Sequence, residues 1–216
     1  MITFEDVSFA YQGGIPDRSE PPALRHIHFH VERGECIVLC GKSGCGKTTM
    51  LRMVNGLVPH FYQGCLEGDI TVGNVHIKAA SLPQVAAVAG SVFQNPRTQF
   101  FHLDTTGEMA FNMENLNIPH DKMVERLKET AWKLDIQTLM DRDIFQLSGG
   151  EKQQIACGSV YASMPEVIVM DEPSSNLDME SIRKLQGLIQ TMKDEGKTIL
   201  ISEHRLWYLE GIADRY

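Results

Sequence analysis

The sequence predicts an α/β fold with a mainly parallel sheet, an antiparallel β-subdomain near the N-terminus, and a helical subdomain inserted at about residues 95–160. Three observations lead to this prediction. Short apolar runs that suit buried strands precede glycine-rich or acidic segments, apolar residues alternate near the N-terminus, and the middle of the chain has helical periodicity. The 216 residues, of which 43% are hydrophobic, are enough for one sizeable core.

The N-terminal part of the chain alternates apolar and polar residues. The apolar positions are 2, 4, 7 and 9, and then 27, 29 and 31, which indicates two half-buried antiparallel strands. A polar, proline-rich loop is predicted over residues 13–22 between them. A further strand pair, 70–72 and 75–77, flanks a turn at Gly73 and Asn74.

Residues 41–48, GKSGCGKT, fit the phosphate-binding pattern G-x-x-x-x-G-K-[ST]. In this pattern backbone N–H groups wrap phosphate oxygens, Lys47 neutralises charge, and the Thr48 hydroxyl ligates Mg²⁺. A glycine-rich turn without a ligand is the alternative, but an apolar strand precedes the loop and a helix follows it, which places the amides at a helix N-terminus. The predicted cofactor-binding residues are Gly41, Lys42, Ser43, Gly44, Cys45, Gly46, Lys47, Thr48 and Thr49.

Residues 147–151, LSGGE, form a second motif. Ser148 and Glu151 have the spacing of a capping box, which predicts a helix running through Ile155 and Val160. Capping alone does not explain Gly149 and Gly150, because glycines in a first turn are unfavourable unless the backbone must approach something closely. A bare helix N-terminus can supply a second phosphate contact.

The third motif is an apolar strand, residues 167–170, that ends in Asp171 and Glu172. One carboxylate is then expected near Mg²⁺, and the other beside the terminal phosphate, where it can orient or deprotonate an attacking water. A solvated turn is the alternative for two acids after a strand. Pro173 ends the strand directly after them.

The three motifs, in this order, resemble those of the nucleotide-binding subunit of the ATP-binding cassette (ABC) superfamily, and the resemblance covers nearly the whole chain. It implies a P-loop NTPase fold with a RecA-like core, and ATP with Mg²⁺ as cofactors. It also implies that Tyr11 stacks on adenine, Gln94 contacts Mg²⁺ and water, Glu172 is the catalytic base, and His204 contacts the γ-phosphate. An ordinary strand-end tyrosine is the alternative for Tyr11.

The resemblance assigns further roles. The catalytic residues become Glu172, His204 and Gln94, and the Mg²⁺ ligands Thr48, Gln94 and Asp171. Two ATPase subunits face head to tail, so that Ser148, Gly149 and Gly150 close over ATP on the other subunit, and Asp178 ends a loop that crosses to it. Whether this second ABC ATPase subunit is identical, a paralogue or another half of a longer chain stays open.

A narrower resemblance, to ATPase subunits of energy-coupling factor (ECF) transporters and especially to the first half of tandem forms, rests on residues 55–64, 93–101 and 202–206. It implies ATP hydrolysis that powers a membrane importer for a vitamin or a transition-metal ion, with transmembrane transporter subunits as partners. The alternatives are a soluble ABC ATPase acting on ribosomes or nucleic acid, and a nucleotide-gated assembly module. The presence of Glu172 and His204 argues against the gated module.

The resemblance implies a single ABC ATPase domain over residues 1–216, with a nucleotide-binding core at about 1–94 and 161–216 and the helical subdomain at about 95–160. Family members usually continue beyond the position of Tyr216, so we expect a domain truncated at its C-terminal end. Within the helical part, Thr105 and Glu108 predict one helix cap, and the apolar face of another helix is predicted at Val124, Leu127, Ala131 and Leu134.

A formal charge of −8 argues against binding to nucleic acid or to anionic lipid. No apolar run approaches the roughly 18 residues of a spanning helix, and the N-terminus lacks the pattern of a signal peptide. We therefore expect a cytoplasmic protein without direct membrane insertion, held peripherally on the inner face of the cell membrane by a protein partner.

Five cysteines in unpaired contexts predict reduced thiols, and Cys36 and Cys40 are expected in a buried strand. His26, His28 and His30 share one face of a predicted strand. No acid or cysteine partner for them is evident in the sequence, so a metal site is not predicted there.

Overall fold

The computed structural model describes residues 1–12 and 22–216. Within these residues, eight strands form two four-stranded sheets. The strands are β1 (Ile2–Tyr11), β2 (Leu24–Val31), β3 (Cys36–Leu39), β4 (Gly64–Val72), β5 (Val75–His76), β6 (Ala89–Val92), β7 (Val167–Asp171) and β8 (Thr198–Ser202). The helices are α1 (Lys47–Val54), α2 (Leu57–His60), α3 (Leu82–Ala86), α4 (Thr105–Asn115), α5 (His120–Lys133), α6 (Gly149–Ala162) and α7 (Met179–Asp194).

The first sheet is antiparallel, with the strand order β2-β1-β4-β5. The alternating apolar side chains of β1 are buried, and Phe4 lies opposite Phe29 on one side and Ile70 on the other. Val72 pairs with Val75 across the predicted turn. The predicted antiparallel subdomain is therefore confirmed, whereas most of the predicted polar loop, residues 13–21, lies outside the described residues.

The second sheet is parallel, with the order β3-β8-β7-β6. Its strands are apolar without alternation because both faces are covered. Ile168 and Met170 of β7 join the hydrophobic cluster that contains the inner sides of α6 and α7, and Val167 and Val169 join the cluster that contains α1 and the antiparallel sheet. The carboxyl ends of these strands lie at one edge, where Asp171 is in register with Ser202.

The segment between β6 and β7 is helical, as predicted. α6 packs against α4, α5 and α7 and is buried along most of its length. On α5, Ala131 is buried, Leu127 is partly buried and Val124 is half-buried; Leu134, directly after the helix, is buried. The predicted apolar face of this helix is therefore confirmed.

The predicted cap at Thr105 is wrong by one residue. Asp104 is the N-cap of α4, and its carboxylate accepts the N–H of Gly107 at 2.8 Å. The hydroxyl of Thr105 donates instead to the carbonyl of Leu139 at 2.7 Å, and the carboxylate of Glu108 accepts two N–H groups of the loop before the helix at 2.8 and 2.9 Å. These tertiary bonds compete successfully with local capping because both groups are buried.

All five cysteines are free thiols. Cys36 is buried in β3, but Cys40 lies just beyond the strand and is exposed, so the prediction that both are buried is wrong. Burial raises the pKa of Cys36 and of Cys157 to about 12. Among the described residues, no helix combines the length and apolar character needed to cross a membrane.

His26, His28 and His30 lie on a strand, β2, as predicted, and all three are exposed, but the expectation that no acid lies near them is wrong. Oδ1 of Asp6 lies 2.9 Å from Nδ1 of His26 and 3.4 Å from Nε2 of His28. The hydrogen bond with His26 is the main cause of a lowered pKa at Asp6. The sequence hides this contact because the register of β1 and β2 shifts between Phe4 and Val7.

Candidate nucleotide site

The phosphate loop connects the end of β3 to the start of α1, as the sequence predicts. Gly46 is the N-cap of α1 and has a left-handed φ of 98°. A Cβ at this position would lie 2.7 Å from the side chain of Leu24 and 2.9 Å from the carbonyl oxygen of Ala23. Only glycine therefore suits this position, and the exposed loop before it, residues 41–45, keeps its backbone open to a ligand.

Lys47 is 8% exposed and points back into the loop. Its Nζ donates to the carbonyls of Gly41 at 3.0 Å and Lys42 at 3.2 Å. An ammonium surrounded by the loop is suited to neutralising phosphate charge at the helix N-terminus.

Thr48 and Asp171 meet at the edge of the parallel sheet. The Thr48 hydroxyl donates to Oδ1 of Asp171 at 3.2 Å, and the hydroxyl of Ser202 donates to the same oxygen. Hydroxyl and carboxylate oxygens are the hard ligands that Mg²⁺ prefers. The donor set therefore fits the Mg²⁺ site that the sequence predicts at Thr48 and Asp171.

Glu172 stands between the two other predicted catalytic residues. Its Oε2 accepts a hydrogen bond from Nε2 of Gln94 at 3.0 Å, and its Oε1 lies 3.2 Å from Nε2 of His204. Its backbone has a φ of 43°, and its N–H is shared by the carbonyl and hydroxyl oxygens of Ser202 at 3.0 and 3.2 Å. An uncommon left-handed conformation fixed in this way aims the carboxylate out of the strand edge.

Tyr11, at the end of β1, lies beside α1. Its hydroxyl is 3.0 Å from Oγ1 of Thr49 and accepts from Arg52 at 3.3 Å. Its ring meets Phe9 and Tyr62 edge to face. Arg52 and Tyr62 also pair, with the guanidinium carbon 4.2 Å from the ring centroid. Stacking of Tyr11 on adenine stays a prediction, and the aromatic and cationic neighbours were not foreseen.

The capping box of α6 is confirmed. The N–H of Glu151 donates to Oγ of Ser148 at 3.2 Å, and the N–H of Ser148 donates to Oε2 of Glu151 at 2.8 Å. The bond from the backbone N–H of Ser148 is the main cause of a lowered pKa at Glu151. The Glu151 carboxylate also accepts a hydrogen bond from Arg142 at 3.1 Å. Ser148 is thus accounted for by local capping, and its contact with ATP stays a prediction.

The two glycines after Ser148 differ in their surroundings. A Cβ on Gly150 would lie 2.1 Å from Oγ of Ser181, so this glycine allows α6 to approach α7. A Cβ on Gly149 would meet nothing nearer than the carbonyl oxygen of Asn176 at 4.0 Å. Gly150 therefore has a packing role within the chain, and its contact with ATP stays a prediction. Gly149 borders a cavity of about 320 Å³ that Gln94 and Asn176 also line.

Asp178 caps α7 by accepting the N–H of Ser181 at 2.8 Å. This bond is the main cause of its lowered pKa. The predicted crossing of this segment to a partner subunit is not tested by these contacts.

Sequence reasoning missed Glu203, a buried acid that directly precedes His204. Its Oε2 accepts the N–H of His204 at 2.7 Å, and its Oε1 accepts the N–H of Ser174 at 3.2 Å. The available signal was its position, because Glu203 follows the apolar run of residues 199–201 with only Ser202 between them and no glycine or proline, which makes it a candidate for burial.

Comparison with known proteins agrees with this geometry. Residues 24–175 match the family model described as ABC transporter. A putative ABC transporter ATP-binding protein of Treponema denticola is 48% identical over the whole chain, which spans 43% of that protein. A putative HMP/thiamine import ATP-binding protein of Bacillus subtilis is 36% identical over 95% of the chain and 37% of its own length. The chain thus spans less than half the length of these relatives.

A solved structure has the same fold. The protein cbiO1 of Clostridium perfringens, described as part of the ABC transporter complex cbiONQ, superposes with a TM-score of 0.83 at 25% identity, over 99% of this chain and 82% of that one. The predicted P-loop α/β architecture is therefore confirmed. The predicted resemblance to ABC ATPases, including importer-type ones, is confirmed as well. The chain belongs to the ABC transporter family, as an ATP-binding domain of the family's ATPases.

Proposed function

We propose that this chain binds and hydrolyses ATP to power a membrane importer, in partnership with transmembrane subunits and a second ABC ATPase subunit. The observation that carries the proposal is the position of Glu172, held by Gln94 and near His204, at the strand end beside Thr48 and Asp171. One edge of the sheet thus carries a candidate base, two side chains that orient it, and two oxygen ligands suited to Mg²⁺.

In the proposed reaction, the loop amides and Lys47 hold the β- and γ-phosphates. Glu172 orients the attacking water and accepts its proton, and Gln94 and His204 help to fix the direction of its carboxylate. His204 is also proposed to contact the γ-phosphate. Thr48, Asp171 and Gln94 would hold Mg²⁺, which when bound neutralises charge on the phosphate oxygens. Tyr11 is proposed to stack on adenine, with Arg52 fixing its hydroxyl.

The domain arrangement is proposed to follow the sequence prediction, with residues 95–160 as a helical subdomain inserted in one ATPase domain. Ser148, Gly149, Gly150 and Asp178 would then face the second ATPase subunit. The open surroundings of Gly149 support this part of the proposal, because they leave backbone exposed at a helix N-terminus.

We place the membrane subunits at an apolar groove near Gln94. A cavity of about 230 Å³ there is lined by Phe93, Phe101 and Phe111 together with small residues of β6. Phe101 is 73% exposed and stacks on Phe111 with ring centroids 4.9 Å apart. Exposed aromatic side chains around a groove suit a helix of a protein partner. Docking of the membrane subunits there would hold the chain peripherally on the cytoplasmic face of the membrane, as proposed.

A vitamin or transition-metal ion is proposed as cargo of the importer. The support is the resemblance of residues 55–64, 93–101 and 202–206 to ECF-type ATPases and the thiamine-import name of the Bacillus subtilis relative. Residues that would contact such a cargo are expected on the membrane subunits.

The test is co-purification of a multi-span membrane protein with the tagged chain from the membranes of its source organism. We expect recovery with the wild type and its loss with Phe101→Arg. Trp132→Arg is the matched control, because Trp132 is 72% exposed but lies on α5, outside the groove. Equal recovery with both variants, or none with the wild type, would contradict the proposed docking.

A further inference from the structure

Glu203 is a buried carboxylate that accepts four hydrogen bonds. It is 2% exposed. Its Oε1 accepts from the N–H of Ser174 at 3.2 Å and the hydroxyl of Tyr208 at 2.8 Å, and its Oε2 accepts from the N–H groups of His204 at 2.7 Å and Arg205 at 3.2 Å. Burying a charge is unfavourable unless it is fully paired, so these four donors define its position.

The only side-chain donor among the four is Tyr208. Its side chain is fully buried, and its hydroxyl donates to Oε1 of Glu203 at 2.8 Å. Burial, followed by the neighbouring Glu203, raises the pKa of this hydroxyl above its ordinary value, so the proton of this hydrogen bond stays on Tyr208.

Glu203 joins two segments that the chain separates. One is the strand end that carries His204, and the other is the turn that begins at Ser174, 29 residues earlier. Arg205 strengthens the same junction, because its Nη1 donates to the carbonyls of Ser174 at 3.3 Å and Leu177 at 3.2 Å. The turn over residues 174–177 is thus held by the Glu203 carboxylate and by the Arg205 guanidinium, which lie on either side of His204.

The two ends of this junction carry the residues that the proposed function uses. The backbone of His204 is fixed by Glu203, while its ring reaches to 3.2 Å from Glu172. The turn leads directly to Asp178, the N-cap of α7. The backbone of His204 and the turn therefore share one buried carboxylate, and the loss of either donor would leave that carboxylate less satisfied.

We propose that Glu203 is a positioning residue, which couples the placement of His204 to that of the 174–178 segment and acts on ATP turnover through His204. The proposal rests on the proposed function, in which His204 contacts the γ-phosphate and residue 178 faces the second subunit. If Glu203 had only a structural role, replacing it would lower stability without a selective effect on turnover.

The test compares Glu203→Gln with His204→Ala and with the double variant, using kcat, KM for ATP, and ATP affinity by calorimetry. Glutamine keeps the shape but places an NH₂ group against N–H or O–H donors. We expect kcat of Glu203→Gln to fall about tenfold or more while KM and affinity change less than about threefold. If Glu203 acts through His204, the double variant has the kcat of His204→Ala alone.

Glu210→Gln is the matched control, because Glu210 is an exposed acid in the same C-terminal segment, and it is expected to have wild-type kcat. If Glu203→Gln does not fold, Tyr208→Phe replaces it in the same cycle, since it removes one hydrogen bond to Glu203 and keeps the carboxylate and the buried ring. An unchanged kcat, or losses that add in the double variant, would overturn the inference. Normal turnover in His204→Ala would instead contradict the proposed function.

Discussion

The hydroxyl of Thr48 donates a hydrogen bond to Oδ1 of Asp171 at 3.2 Å, across 123 residues of sequence. It joins the first turn of α1 to the end of β7, two elements that meet because parallel strands end at one edge of the sheet. The bond keeps the two predicted Mg²⁺ ligands next to each other at this edge. A Mg²⁺ ion bound there would be held by these two side chains.

Replacing Glu172 by Gln is expected to preserve ATP binding and to lower turnover by about a hundredfold or more, because the shape is kept and the proposed base is removed. Gln94 can still bond the remaining carbonyl oxygen, so the local structure should persist. Single-turnover hydrolysis and calorimetry measure the two quantities separately. Glu180→Gln, at an exposed acid of α7, is the control. Steady-state turnover like that of the wild type would show that Glu172 is not the base.

Replacing Lys47 by Ala is expected to weaken ATP binding itself. The Lys47 ammonium is the cation enclosed by the loop carbonyls of Gly41 and Lys42, so its loss leaves the phosphates without that charge. Calorimetry with ATP measures the change, and Lys78→Ala, an exposed lysine after β5, controls for net charge. Unchanged affinity in a folded Lys47→Ala protein would contradict the phosphate-loop assignment.

Replacing Gly150 by Ala is expected to lower the free energy of unfolding by about 1–3 kcal/mol, since the added methyl group overlaps Ser181. Chemical denaturation measures this effect. Ser181→Gly removes the obstructing atoms and keeps the backbone N–H that Asp178 accepts, so the double variant should recover part of the loss. Equal destabilisation in the single and double variants would place the cause outside this contact.

The sequence predicts most of the fold and the motif residues, because each motif is local. The glycine loop follows a buried strand, the acids end another, and Ser148 and Glu151 are three residues apart. Contacts between distant segments were missed. Glu203 bonds Ser174 through tertiary structure, Gly150 is explained by Ser181 on another helix, and neither pairing has a local signature.

Contacts between distant segments also explain two wrong predictions, the helix cap at Thr105 and the absence of an acid near His26, His28 and His30. The sequence favours Thr105 as a cap, but its hydroxyl is used by a carbonyl 34 residues away. Asp6 reaches His26 only because a register shift in β1 turns its side chain toward that face. Periodicity predicts the faces of regular strands and helices, and it fails where a bulge or a buried polar group changes the local geometry.

Replacing Ser148 by Arg tests the composite site, in which this residue is proposed to close over ATP bound to the second subunit. We expect the large cation to obstruct the partner's site and to lower turnover strongly, while the chain's own Lys47 and Tyr11 still permit ATP binding. The substitution also removes the N-cap of α6, which alone costs about 1 kcal/mol of stability.

Glu151→Ala separates these two effects. It breaks the capping box by removing the carboxylate that accepts the N–H of Ser148, but it adds no bulk at the helix N-terminus. If capping explains the motif, both variants lose stability and turnover together. If the composite site explains it, Ser148→Arg loses far more turnover than Glu151→Ala at similar stability. A Ser148→Arg protein that is dimeric by light scattering and hydrolyses ATP normally would reduce this motif to its capping role, since an arginine cannot occupy a closed phosphate pocket without effect.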